Sequence, residues 1–271
     1  MDSKKLKYGI HASEVDLSKV EDIKLPEPAP DGRIKVLSDK GYATTNIMGT
    51  SKEFVDFSPS CKFPVFDIGC AYGETTVAAL KKGATVIAND IEEGSLKYLI
   101  KRKELNDDDR KRLYLKKGFV PFDMDFEPNS LGAIHASRVM HFFKPEEVKS
   151  FFEKAHEWLV NDGVLFIITS SPMHWATPKG FYDEYDKKFK EGIEFPGVIK
   201  DFSHMDPNLK TGGYNNEMDP RLIFREAVKN DFIIKKLGYE KGRGEYDYTF
   251  AILVNRKKIK LLQFSKLLST S

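Results

Sequence analysis

Apolar residues along the chain change their spacing at Pro64. Before it, residues 1 to about 30 are polar and end in LPEPAPDG, a composition that predicts an arm or an edge element rather than core. From Ser38 to Ser58 a mixed pattern that includes Tyr42, Ile47, Phe54 and Val55 predicts one or two helices laid over a main domain, and FSPSCKFP ends them. Beyond Pro64, strand-like and helix-like segments alternate. VFDIG is a continuous apolar run of the kind buried on both faces, TTVAALKKG a short helix closed by Gly83, and TVIAND a second buried run. EEGSLKYLIKRKEL reads as a helix, RLYLKKG as a third strand and GAIHASRVM as a fourth. PEEVKSFFEKAHEWL is a helix with Pro145 in its first turn, and GVLFIIT is a fifth strand. Such alternation predicts an α/β fold, a parallel sheet wrapped by helices on both faces.

The pattern lapses over residues 172 to 218, which are rich in Gly, Pro, aromatics and both charges and read as a long connection or cover. DPRLIFREAVKN restores a helix, with Asp219 as N-cap and Pro220 at its first position. FIIKKLGYEKG and YDYTFAILVNR then read as two strands joined through GRGE, a hairpin at one edge of the sheet. The expected organisation is an arm and helical cover over 1–58, a main domain over 59–255 with the 172–218 cover inserted after strand five, and a tail over 256–271. That tail, RKKIKLLQFSKLLSTS, alternates basic and apolar residues like a short amphipathic helix; packing on the domain or disorder outweighs membrane attachment.

Charge narrows the choice of partner. Forty-three Lys and Arg against forty-one Asp and Glu give a formal charge of +2, so no global field marks a nucleic-acid binder. The N-terminus lacks the apolar core of a secretory signal, and no stretch is long and apolar enough for a membrane span. Cys61 and Cys70 are too few for a disulfide framework. A soluble, cytoplasmic protein with no nucleic-acid or membrane partner is the expectation.

The turn after the first strand, FDIGCAYGETT, carries the chemistry. Ligands of open α/β sheets bind beyond the carboxyl ends of the strands, where strand order reverses. Gly69 and Gly73 permit tight backbone, and Cys70 and Ala71 are small. A dinucleotide loop requires G-x-G-x-x-G to seat a pyrophosphate, and a P-loop ends in Gly-Lys-Ser/Thr. Neither is present, and Asp67 would repel phosphate and attract a cation. Asp90 closes the second strand, where a carboxylate can accept from ribose hydroxyls.

D-I-G-C-A-Y-G followed by N-D-I resembles motifs I and II of the class I S-adenosylmethionine-dependent methyltransferases, with Ala71 in place of the central glycine. VPF and SL, then MH, resemble that family's path through strand four, so the likeness has specific motifs over residues 60 to 171 and topology alone to about 255. It implies a Rossmann-like, seven-stranded, mostly parallel sheet with an antiparallel last strand, and S-adenosyl-L-methionine as cofactor. It also implies cofactor contacts from Asp67, Gly69, Cys70, Ala71, Gly73, Asp90, Ile91, Gly118, Phe119 and Ser137. The family's strand-three acid has no clear counterpart near Lys116 to Phe119, so the backbone of Gly118 and Phe119 is expected against adenine.

Methyl transfer from a sulfonium chiefly requires alignment and a dry pocket, and a protonated acceptor also requires a base. His141, just past strand four, is the candidate base; a packing role for it is the competing reading. His135 reads as a core residue. Tyr42, His174, Trp175, Tyr182 and Tyr185 are candidate acceptor-pocket residues, and the same aromatics would equally hold the long connection in place. No N-P-P-Y/F or paired glutamates follow strand four, which argues against amide, base-nitrogen and arginine methylation. The sequence therefore predicts a methyltransferase of a small-molecule acceptor, with a protein side-chain enzyme or a non-catalytic S-adenosylmethionine binder as alternatives and no metal.

Overall fold

The computed structural model describes residues 7–30, 32–38, 40–47, 49–200 and 214–257. Five strands form the parallel body: β4 (Val65–Ile68), β5 (Val86–Asp90), β6 (Leu113–Lys117), β7 (Leu131–Ser137) and β8 (Leu159–Ser170). The antiparallel hairpin of β11 (Phe232–Glu240) and β12 (Tyr248–Asn255) adds to β8 through β12, giving the order β6-β5-β4-β7-β8-β12-β11. β12 alone runs against its neighbours in this set. The arm supplies an edge element, in line with its composition: the two-residue β1 (Ile10–His11) pairs antiparallel with β6, so the sheet has eight strands where the resemblance implied seven.

Alternate residues of the central strands feed two cores, which is why their sequences are apolar without interruption. Phe66, Ile68 and Ile87 pack with Phe151, Phe152 and Trp158 of one helix, α5 (Pro145–Trp158), and with Leu222 and Ile223 of another, α7 (Pro220–Lys229). On the opposite face Val65, Val86 and Ala88 pack with Phe54 of α1 (Gly49–Phe57), Val77 and Leu80 of α2 (Glu74–Lys81), and Leu96 and Leu99 of α3 (Glu93–Ile100). A fully buried side chain of this size contributes about 1.5–3 kcal/mol, so the two aromatic-rich layers carry the fold. Asp219 caps α7 as expected, its Oδ1 accepting from Leu222 N at 3.0 Å.

The covers differ from expectation. Of the predicted helical stretch before Pro64 only α1 is helical; Tyr42 lies instead in a small hairpin, β2 (Ile34–Lys35) with β3 (Tyr42–Ala43). The segment after strand five holds α6 (Phe181–Lys190) and a two-strand ladder, β9 (Val198–Ile199) with β10 (Asn215–Asn216). The amphipathic reading of the tail falls on residues 258–271, outside the described residues. No helix among the described residues is long and apolar enough to cross a membrane.

Candidate functional site

Strand order reverses between β4 and β7, and a cavity of about 320 Å³ opens beyond their carboxyl ends. It is lined by Asp67, Gly69, Cys70, Ala71, Gly73, Asp90, Ile91, Gly118, Phe119 and Ser137, so the ten residues singled out for a cofactor all line one cavity. His141, Tyr42 and His174 line it as well.

The turn itself is tight because its neighbours leave no room. A Cβ on Gly69 would stand 2.4 Å from Val139 Cγ1, and one on Gly73 would stand 2.3 Å from Leu99 Cδ1. Both glycines and Ala71 have positive φ, and Ala71 N donates to Asp90 Oδ2 at 3.0 Å. Asp90 Oδ1 accepts from Glu92 N at 2.9 Å. Burial raises the Asp90 pKa, and these backbone donors oppose the rise. Each carboxylate oxygen keeps further accepting capacity beside the one N–H it holds, which suits a pair of hydroxyl donors.

Asp67 corrects the electrostatic argument drawn from sequence. Its carboxylate does not stand free at the cavity mouth: Oδ1 lies 2.8 Å from His135 Nδ1, and Thr76 Oγ1 donates to Oδ2 at 2.6 Å. His135 is stacked on Phe54 with ring centroids 4.6 Å apart, and its Nε2 lies 3.0 Å from Ser51 Oγ. Asp67 therefore anchors the loop from beneath, while the carboxylate open to a ligand is Asp90.

At the adenine end implied by the resemblance, Asn89 Nδ2 donates to Gly118 O at 2.9 Å, and Asp123 Oδ2 accepts from Phe119 N at 2.7 Å. These bonds fix the turn after β6. The Phe119 ring packs edge-on to Phe143 at 5.7 Å and lies near-parallel to Phe122 at 6.2 Å. Asp123 is thus a structural clasp, and Asp125 pairs with Lys116 Nζ at 2.6 Å.

Three candidate pocket residues lie elsewhere. Tyr185 is fully buried between α6 and α7, its hydroxyl accepting from Asp219 N at 3.2 Å, because the helix turns that ring toward the α7 cap. Trp175 is half exposed under the Arg243 guanidinium, 4.6 Å from its ring, and Tyr182 sits on the exposed side of α6. None of the three lines the cavity. The sequence reading missed Arg33, Lys40, Thr44, Arg138, Tyr214, Asn215 and Tyr248, which do. Arg138 immediately follows the strand-four end that had been singled out at Ser137.

His141 is buried, and burial with the cations nearby lowers its pKa to about 3; its Nδ1 has no hydrogen-bond partner. Tyr72 lines the cavity as well: its hydroxyl donates to Lys35 O at 2.5 Å and ties the arm's hairpin to the loop. Among the described residues no group of three or more His, Cys, Asp and Glu is placed to hold a metal ion.

Residues 65–163 match a family model described as a methyltransferase domain. Among solved structures, an S-adenosylmethionine-dependent methyltransferase from Mesorhizobium loti is similar with a TM-score of 0.56 at 13% identity, covering 76% of this chain and 98% of that one. A phosphoethanolamine N-methyltransferase from Haemonchus contortus, in complex with S-adenosyl-L-methionine, has a TM-score of 0.53 at 14% identity over 72% of this chain and 49% of that one. The geranyl diphosphate C-methyltransferase of Streptomyces coelicolor has a TM-score of 0.50 at 13% identity over 76% of both chains. These likenesses establish the fold. Comparison with curated proteins finds no match. The matched segment, from β4 to the start of β8, thus has the likeness of a methyltransferase domain, and the sheet order around it completes the Rossmann-like fold of the similar structures.

Proposed function

We propose that the chain methylates a small-molecule acceptor held in the part of the cavity beyond Ser137. The observation that carries this reading is the shape of that end. The lining continues past the cofactor loop to Ser170, His174 and Tyr248, with the arm's residues 40–44 along one side and Tyr214 and Asn215 along another. A walled recess admits a compact acceptor more readily than a folded protein surface. Two of the similar structures are named for small acceptors, phosphoethanolamine and geranyl diphosphate, which supports the same class.

In this reading Asp90 accepts from the ribose hydroxyls, the backbone of Gly118 and Phe119 borders adenine, and the Ser137 carbonyl accepts from the amino group. When bound, S-adenosylmethionine supplies a methyl group already activated on a sulfonium. The chain then has to align the acceptor and exclude water. His141, with a pKa about 3, stays neutral near neutral pH and is a feeble base. Its role here is to orient the acceptor through Nδ1, and the acceptor reacts in an unprotonated, nucleophilic form.

Calorimetric titration tests the cofactor half. S-adenosylmethionine and S-adenosylhomocysteine should bind at micromolar Kd, about −8 kcal/mol, with at least a tenfold loss in Asp90→Ala. Tighter binding of NAD would overturn the assignment. For the acceptor half, S-adenosylhomocysteine production should rise on addition of the low-molecular-mass fraction of a cell extract; a rise with the protein fraction alone defeats the small-molecule reading.

A further inference from the structure

Charge is unevenly distributed around the cavity. Its lining carboxylates, Asp67, Glu74 and Asp90, stand on the cofactor side: Asp67 is held by His135 and Thr76, Glu74 pairs with Arg102 at 2.7 Å, and Asp90 accepts from two backbone N–H groups and keeps capacity for the cofactor. The lining cations Arg33, Lys40 and Arg138 come from the arm and from the residue after β7. Arg138 has no carboxylate partner among the described residues. Its guanidinium lies 4.7 Å from the centre of the Tyr248 ring, with one long hydrogen bond from Nη1 to Thr44 Oγ1 at 3.4 Å, and its Nε is buried without a partner. A largely unsatisfied guanidinium with a planar fork of donors matches an oxyanion in charge and geometry.

The backbone points the same way. Arg138 has φ 57, a left-handed conformation that a long side chain rarely adopts, and its N–H donates to Ile168 O at 2.7 Å. Strain of this kind persists where the surroundings enforce it and gathers at functional sites. Here it places the guanidinium between the arm and β12. Two buried acids, Asp247 and Glu217, stand beside the lining residues Tyr248 and Asn215, and both are held by other groups. Asp247 is buried with Oδ1 accepting from Trp175 N at 2.9 Å and Oδ2 from Gly244 N at 2.7 Å. Glu217, behind Asn215 and Ser170, is fully buried and its pKa is pushed up to about 8, so its carboxyl is mostly neutral at pH 7. His141 and His174, which line the same end, have pKa values lowered chiefly by burial.

We propose that the acceptor carries an oxyanion, a carboxylate or a phosphate group, bound by the Arg138 guanidinium between Thr44 and Tyr248. This rests on the methyltransferase reading above. The rival claimant on the same arginine is the cofactor's own carboxylate, and the cofactor affinity of the Arg138 variants separates the two.

The test uses the whole protein loaded with saturating S-adenosylhomocysteine at constant ionic strength, titrated calorimetrically with inorganic phosphate and, separately, with acetate. Failure of the loading step strikes the methyltransferase reading. Given loading, one phosphate or one acetate per chain should bind, weakened at least tenfold in Arg138→Gln and about threefold in Arg138→Lys, which keeps the charge and loses the fork. S-adenosylhomocysteine affinity should stay within twofold in both variants, which also reports that they are folded. Preference for phosphate or for acetate identifies which oxyanion the recess is built for. The proposal is overturned if neither anion binds the loaded protein, if both variants bind it as well as wild type, or if Arg138→Gln weakens S-adenosylhomocysteine instead.

Discussion

Asp67 and Asp90 end adjacent strands with the same charge and have opposite duties. Asp67 is held by His135 and Thr76 in a dry wall, so Asp67→Ala strands an imidazole and a hydroxyl without partners. It should lower stability by about 3 kcal/mol, read as a fall in the urea midpoint at unchanged slope. Asp90→Ala should instead act mainly on ligand affinity. Two other buried groups make opposite marks on the pH profile of stability. His141 has a folded pKa about 3, below its ordinary 6.5, so between those values the unfolded chain holds more protons and stability falls as pH drops. The slope from this one group is about 1.4 kcal/mol per pH unit, and His141→Gln should flatten the acid limb. Glu217 is raised from 4.5 to about 8, so in that window the folded chain holds the extra proton and stability falls as pH rises. Glu217→Gln should therefore gain on wild type from pH 5 toward pH 8; an unchanged gap between the two denaturation curves would place the carboxyl in solvent.

Among the elements, the ones with a sustained apolar run were legible and the short ones were not. β4, β5 and β7 are buried on both faces, and that leaves an unmistakable signature between turn glycines. The two-residue strands β1, β2 and β3 leave no period at all, so Tyr42 was assigned to a helix although it pairs with Lys35 in a hairpin. The cofactor loop was readable because glycine and acid spacing encode backbone geometry locally. The acceptor end was not, because Arg138, Thr44, Tyr248 and Tyr214 are brought together from distant parts of the chain, and spacing on α6 did not reveal that Tyr185 faces α7. One hydrogen bond between the arm and the loop, Tyr72 to Lys35, can be cut. Tyr72 is pushed up to about 12 and remains a neutral donor, and Tyr72→Phe should loosen the hairpin by about 1 kcal/mol. Faster proteolysis within residues 32–47 and roughly threefold weaker S-adenosylhomocysteine binding are the expected readouts; an unaltered digest would show that the arm is held by other contacts.

Across the whole molecule, the cavity is assembled from nearly every layer: the arm, the turns after β4, β5, β6 and β7, and the start of β12. A ligand in it therefore touches segments that separate on unfolding, and its binding energy becomes folding energy. For a site loaded at one hundred times Kd the gain is about 2.7 kcal/mol. Unfolding entropy grows with chain length, so for 271 residues that gain raises the melting temperature by about 5 °C. S-adenosylhomocysteine should produce such a shift in wild type and about half of it in Asp90→Ala at the same concentration, since a tenfold loss of affinity leaves only a tenfold excess over Kd. NAD at equal concentration should leave the transition in place, because the loop lacks the glycine spacing its pyrophosphate needs and the helix that follows opens on Glu74. Equal shifts with both compounds would mean that the cavity responds to adenosine alone, and the selectivity assigned to the loop after β4 would then fail.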